Sequence, residues 1–237
     1  AGVKPTAGIS CAHWSSPEIT RNIIQNNTGS GISCHTYSNG IISNNLITGN
    51  TGSETGIIHC YDRSTPTLIS NTIADNTADY GGSIYIAGGS SMVVIDSILW
   101  GNNPREIYMG VPPSESSSVI SDYGLDSVIL EETNLSGSTI TVSYSDVKGG
   151  RNGISINRND TVNWGAGNID KNPLFAEGYQ LSEFSSCIGA GIMTGGVLSI
   201  DWGGNPRPNP PGSSPDIGAY ENSQSEPTPG SITVKTP

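Results

Sequence analysis

Basic side chains are scarce in this 237-residue chain. Ten Lys and Arg stand against 21 Asp and Glu, a formal charge of −11. Phosphate backbones are held by clusters of Lys and Arg, so nucleic acid is excluded as a partner. No stretch approaches the roughly 18 apolar residues of a helical membrane span. Aromatic residues make up 6% and charged residues 13%. Chains kept unfolded by self-repulsion carry far more charge, so a folded chain is expected. No amphipathic helix is discernible, which excludes a helical core.

What the chain does hold is Gly (31), Ser (34) and Asn (21), with abundant Ile. These residues fall into a repeat. One column holds Ile9, Ile32, Ile58 and Ile84, and the next holds Cys11, Cys34, Cys60 and Ile86. Then come Ile19, Ile42, Leu68 and Val94, followed by Asn22, Asn45, Asn71 and Ser97. Ile24, Ile47, Ile73 and Leu99 precede Asn27, Asn50, Asn76 and Asn102. Every column steps by 23, 26 and 26 residues, so all length variation sits between the last Asn and the next Ile. Ile9 and Cys11 are two apart and share one face of a short strand. Ile19 and Ile24 mark two more strands with Asn22 at the corner between them. Three short strands per repeat predict a parallel β-solenoid, in which each repeat buries its apolar face only against its neighbours. Asn suits the corners because its amide bonds local backbone, tolerates left-handed geometry and bonds its own kind when stacked.

Ile107 and Met109 open a fifth turn, 23 residues after Ile84 and Ile86. Its other columns reappear late, at Val142, Ser145, Val147 and Gly150. An insert of about 25 residues, roughly 111–137, therefore follows the first strand of that turn. Ser127–Leu130 and Ser138–Val142 are candidates for a hairpin. Solenoid insertions map to one face, often the binding face. No basic residue falls between Arg105 and Lys148, while seven acidic ones do. Glu115, Asp122, Asp126 and Glu131 are thus candidate Ca²⁺ ligands, since Ca²⁺ takes carboxylate and carbonyl oxygens.

Cys11, Cys34 and Cys60 share one inward column. Parallel stacked side chains do not aim at each other, so free buried thiols are expected rather than a disulfide or a tetrahedral metal site. Asn26, Asn134 and Asn159 begin N-x-S/T sequons and are candidate glycosylation sites. Residues 1–7 supply no amphipathic cap for the apolar cross-section of Ile9, Cys11, Ile19 and Ile24. Earlier turns in a longer precursor, or another copy stacked head to tail, would cover that edge. The segment 222–237 reads as a Ser/Pro/Glu linker followed by a strand-like tail, Ser231–Lys235.

The I-x-C strand, the Pro17–Ile19 and Pro66–Leu68 strands and the closing Ser97–Asn102 resemble right-handed parallel β-helix repeat proteins of microbial surfaces. Further on stand Tyr144–Val147, Gly167–Asp170, Asn172–Phe175, Tyr179–Leu181, Ser186–Ile188, Gly204–Arg207 and Pro215–Glu221. These resemble the tail region called choice-of-anchor Q, although Gly189 replaces that family's usual Asp. The resemblance implies an all-β solenoid over residues 1–221, with a capping region at 151–221. It also implies an extracellular or cell-surface place and no assigned catalysis. A structural or glycan-contacting rod is the first expectation, with polysaccharide or further copies of itself as partner. A polysaccharide lyase or hydrolase is the alternative. A hydrolase needs two facing carboxylates, and Asp62, Asp75, Asp79 and Asp96 do not share a column. His13, His35 and His59 read as surface or edge residues.

Overall fold

The computed structural model describes residues 7–52, 56–110, 136–157 and 159–230. Among these residues sixteen short strands make three parallel sheets. The first contains β1 (Ile9–Cys11), β4 (Ile32–Cys34), β7 (Gly56–Cys60), β10 (Gly81–Ile86) and β13 (Ile107–Met109). The second contains β2 (Glu18–Thr20), β5 (Ile41–Ser43), β8 (Thr67–Ile69), β11 (Ser91–Ile95), β14 (Thr139–Ser143) and β16 (Thr161–Trp164). The third contains β3 (Ile23–Gln25), β6 (Leu46–Thr48), β9 (Thr72–Ala74), β12 (Ile98–Trp100) and β15 (Asp146–Val147).

The columns pair in the register their spacing demands: Ile9 with Ile32, Cys34 with Cys60, Leu68 with Val94, Ile73 with Leu99. The first two turns send two side chains inward from the first sheet and one from each of the others, and β11 and β14 add a second from the second sheet, Met92 and Ile140. Ile32, Ile42, Ile47, Ile58, Leu68, Ile73 and Ile84 are fully buried in one continuous core. At about 1.5–3 kcal/mol per buried aliphatic side chain, this core is the main stabilising term.

The corners bury backbone groups that the sheets leave unpaired. Between the second and third sheets, Asn22 donates to Asn45 Oδ1, and Asn45 in turn donates to Asn71 Oδ1 (2.9–3.1 Å). Ser97, Ser145 and Asn168 continue the ladder. After the third sheet, Asn27, Asn50, Asn76 and Asn102 form a second ladder, each donating to the next amide oxygen. Glu106 ends it by accepting from both the backbone and the side-chain N–H of Asn102. A third ladder, invisible in the apolar pattern, runs through Ser15, Ser38, Ser64 and Ser90 between the first and second sheets.

The segment Ser138–Val142, read as half of a hairpin, is instead the solenoid strand β14, paired parallel with β11 and β16. The winding also continues past the fifth turn. Ser155 bridges Tyr108, β16 extends the second sheet and Ile169 bridges Asp146. One residue later the exposed Asp170 stands where the next inward apolar side chain would fall, and the columns stop. At the other end, the expected open cross-section is largely closed. Cys11, Ile19 and Ile24 are only 4–7% exposed, and only Ile9 is half-buried.

From residue 170 the chain leaves the solenoid and wraps its side. Leu181, Cys187, Ile188 and Ile217 pack on Ile98, forming a second core over the outer face of the third sheet. The described part of the expected linker is tied down here. Asn222 Nδ2 donates to the Leu181 carbonyl, and Thr228 N–H to the Glu183 carbonyl. The strand-like tail Ser231–Lys235 lies outside the described residues. Gly189, with φ 63°, is dictated by this packing: a Cβ there would meet the Ser225 carbonyl oxygen at 2.1 Å. Among the described residues no helix is long and apolar enough to cross a membrane.

Candidate functional site

After the first sheet each of the first four turns bends through two consecutive left-handed residues. The pairs are His13–Trp14, Thr36–Tyr37, Asp62–Arg63 and Gly88–Gly89, with φ between 53° and 69°. Non-glycine residues rarely adopt this conformation, and here the sheets on either side hold it. The second members stack along the axis. Trp14 lies on Tyr37 with ring centroids 5.8 Å apart and planes within 10°. The Arg63 guanidinium sits over the other side of Tyr37 at 5.9 Å and donates to its hydroxyl at 2.7 Å. Gly89 ends the column. Trp14 is 71% exposed, the most exposed of the large hydrophobic side chains among the described residues.

Beside this column lie His13 and His35, rings edge to face at 6.2 Å. His35 also reaches Ser10 Oγ and Thr36 Oγ1. Burial, and then the neighbouring His13, lower its pKa, so a neutral imidazole is favoured at neutral pH. Together Trp14, Tyr37, Arg63, His13 and His35 form a rigid aromatic and polar strip over three turns. The register carries the same signal that found the core, since 14, 37, 63 and 89 step by 23, 26 and 26. Residue type hid it: Trp, Tyr, Arg and Gly do not look like a column.

His59 corrects the expectation of a surface or edge histidine. It does face outward from the first sheet, but is only 8% exposed. Its ring meets Tyr85 at 4.9 Å, and Tyr85 in turn stacks on Tyr108. Burial lowers its pKa to about 4, so it stays neutral. Strand parity gave its direction correctly but says nothing about what covers a face.

All four cysteines are free and buried. Cys11, Cys34 and Cys60 lie in register on one inward column. The contact with Cys11 and then burial push the Cys34 thiol up, and burial raises Cys60 to about 12. Thiols held protonated are poor nucleophiles. Cys187 belongs to the second core, with its sulfur 3.3 Å from Asp146 Oδ2.

The carboxylates weighed for hydrolysis are largely occupied. Asp96 is buried under the C-terminal wrap, where its Oδ1 accepts the Ile192 N–H, while Asp75 is exposed and its Oδ2 accepts the Tyr179 hydroxyl. Asp62 is buried. Among the described residues no group of three or more His, Cys, Asp or Glu is placed to hold a metal ion. The candidate Ca²⁺ ligands Glu115, Asp122, Asp126 and Glu131, and the sequon Asn134, lie outside the described residues. Asn26 is an exposed left-handed corner residue, and Asn159 is also exposed.

The C-terminal wrap hides a charged cluster that sequence reading missed. Arg207 and Glu221 form an ion pair at 3.1 Å, both side chains 0% exposed. Arg207 also donates to the Asp216 and Gly218 carbonyls. Asp216 accepts from Gly189 and Asn222 N–H, and Asp201 from Asn205 and Glu221. Burial raises Asp216 to about 6 and Glu221 to about 7.

Three parallel sheets locked by corner ladders, with an aromatic strip along one corner, define the class: a parallel β-solenoid with a laterally wrapped C-terminal region. A family model for the right handed beta helix region matches residues 5–126, just over half of the chain, and the chain belongs to that family. Neither the curated proteins nor the solved structures include a match.

Proposed function

We propose that this chain is a non-catalytic, extracellular β-solenoid that holds a neutral polysaccharide along its Trp14–Tyr37–Arg63 corner. The exposed Trp14 ring carries this reading. A large apolar side chain left in water on a rigid corner has a free π-face, and the positive C–H edges of a pyranose ring complement its quadrupole. Tyr37 covers one face of Trp14, so a sugar stacks on the other, and the ring edges and Arg63 continue the contact along the solenoid axis. The charge of −11 works against polyanions and favours a neutral polymer. Asp62 and Asp96 are buried, which supports holding over cutting. The C-terminal wrap is read as a choice-of-anchor Q-like region, because Arg207, Asp216 and Glu221 fall within two of the motifs that carry that resemblance.

Affinity electrophoresis through gels containing neutral or acidic polysaccharides tests the site. The expected result is retardation by a neutral polymer that Trp14→Ala abolishes without release of reducing ends. Retardation unchanged in Trp14→Ala, or none in any polymer, overturns the assignment. Release of reducing ends or unsaturated uronates would instead establish the lyase or hydrolase alternative.

A further inference from the structure

The loop Gly191–Trp202 of the C-terminal wrap crosses the solenoid lengthwise and meets one turn after another. At the fourth turn Ile192 N–H donates to Asp96 Oδ1 at 2.9 Å. At the third, a Cβ on Gly196 would lie 2.9 Å from the Ile69 Cδ1. At the second, Asn44 Nδ2 donates to the Ile200 carbonyl at 2.7 Å, and at the first Arg21 donates to the Trp202 carbonyl at 3.4 Å. This strap follows one corner column: Arg21, Asn44, Ser70 and Asp96, all left-handed with φ from 50° to 56°.

Asn44, Ser70 and Asp96 are each 0% exposed. Each buries a polar atom without a hydrogen-bond partner among the described residues: Asn44 Oδ1, Ser70 Oγ and Asp96 Oδ2. Thr194 Oγ1, on the strap between the fourth-turn and third-turn anchors, is in the same condition. One orphan costs about 1–3 kcal/mol. Three on consecutive turns, beneath one strap, point to a shared ligand.

Spacing decides its identity. Neighbouring turns lie about 4.8 Å apart, and although the asparagine ladders bridge that step directly, these seam oxygens find no hydrogen-bond partner among the described residues. One water molecule spans that gap. A cation fits less well, since Ca²⁺ takes about six to eight oxygens around one point, whereas the orphan oxygens of Asn44, Ser70, Asp96 and Thr194 are spread over three turns. The Arg207 charge acting on Asp96 also disfavours a second cation nearby.

We propose that the seam between the strap and this corner binds a single file of ordered water, one molecule per interval between turns. The first bridges Asp96 Oδ2, Thr194 Oγ1 and Ser70 Oγ, and the second bridges Ser70 Oγ and Asn44 Oδ1. Each water then has the two or more polar partners that a buried site requires.

A crystal structure that resolves ordered solvent, with water-to-amide NOEs measured in solution, tests this. Two density peaks are expected in the seam, each about 2.7–3.2 Å from the named oxygens. Slow-exchanging water NOEs are expected at the Ser70 and Ile192 amides. Ser70→Gly keeps a residue suited to the left-handed corner and should remove the second water. Direct bonds among Asp96, Thr194 and Ser70 with no density between them would overturn the proposal, as would absence of both NOEs. A peak ringed by six or more oxygens at about 2.3–2.6 Å would replace water with a cation.

Discussion

The solenoid and the region wrapped around it face the same problem and use opposite chemistry. Both must bury polar backbone at bends. The solenoid does so with neutral side chains copied from turn to turn, and Asn45, Asn50, Asn71 and Asn76 are all essentially buried with their amides paired. The wrap has no period to copy. Its bends are held by Arg207, Asp201, Asp216 and Glu221, whose charges reach several backbone groups at once. Repetition makes cheap neutral partners available at a fixed spacing, whereas an irregular chain needs longer and charged ones.

The sharpest way to break this comparison is to put a charge in the neutral part. Cys34→Asp buries an unpaired carboxylate in a core of Ile and Cys and is expected to abolish folding, a loss of several kcal/mol, read as absence of a cooperative urea transition. Next comes removal of a charge where the molecule relies on one. Arg207→Met leaves Glu221 and two carbonyls uncompensated and should cost about 3–5 kcal/mol. Limited proteolysis should then cut within 170–230 before the solenoid.

A smaller loss is expected for Asn76→Ala. It strips the acceptor of the Asn50 N–H and the donor to the Ile47 carbonyl, both buried, for about 2–4 kcal/mol. Asn27→Ala, at the exposed start of the same ladder, should cost less than about 1 kcal/mol. Equal effects at both positions in urea titrations would contradict the ladder account.

Acidity supplies the last and mildest probe. Burial raises Asp96, Glu106, Asp146 and Glu221 to about 7 and Asp216 to about 6 in the folded chain. Unfolded carboxylates titrate near 4, so the folded state binds more protons between these limits. Stability from these groups is fully present below about pH 4 and is lost as pH rises through 6 and 7. The unfolding free energy from urea titrations should fall from pH 5 to pH 8 by at least one pKa unit's worth, about 1.4 kcal/mol. A rise over that range would show that the wrap's charges are better paired than their burial implies.

The same contrast explains what could be read in advance. The Ile, Cys and Asn columns were legible because one residue type recurs at one spacing. The serine ladder obeys that spacing too, but Ser15, Ser38, Ser64 and Ser90 are lost among 34 serines. The sixth turn was hidden differently: Ile154-Ser155-Ile156 repeats the strand motif, but 47 residues after Ile107, beyond the insert. The Trp14 column kept the spacing and changed its residues. Arg207, Asp216 and Glu221 had no spacing to keep, because their partners are set by a path that occurs once.

A repeat array held only by contacts between neighbours comes apart one unit at a time. Pulled from its end, each turn of 23 or 26 residues would release about 80–90 Å of chain for about 4.8 Å of rod, a sawtooth of even steps. The strap Gly191–Trp202 forbids that sequence, since it is hydrogen-bonded to the fourth, second and first turns through Asp96, Asn44 and Arg21 and passes close over Ile69 of the third. Peeling the first turn means tearing a clamp that also grips the fourth. Under load the rod should therefore hold until the clamp fails and then lose several turns together, behaving as one mechanical block.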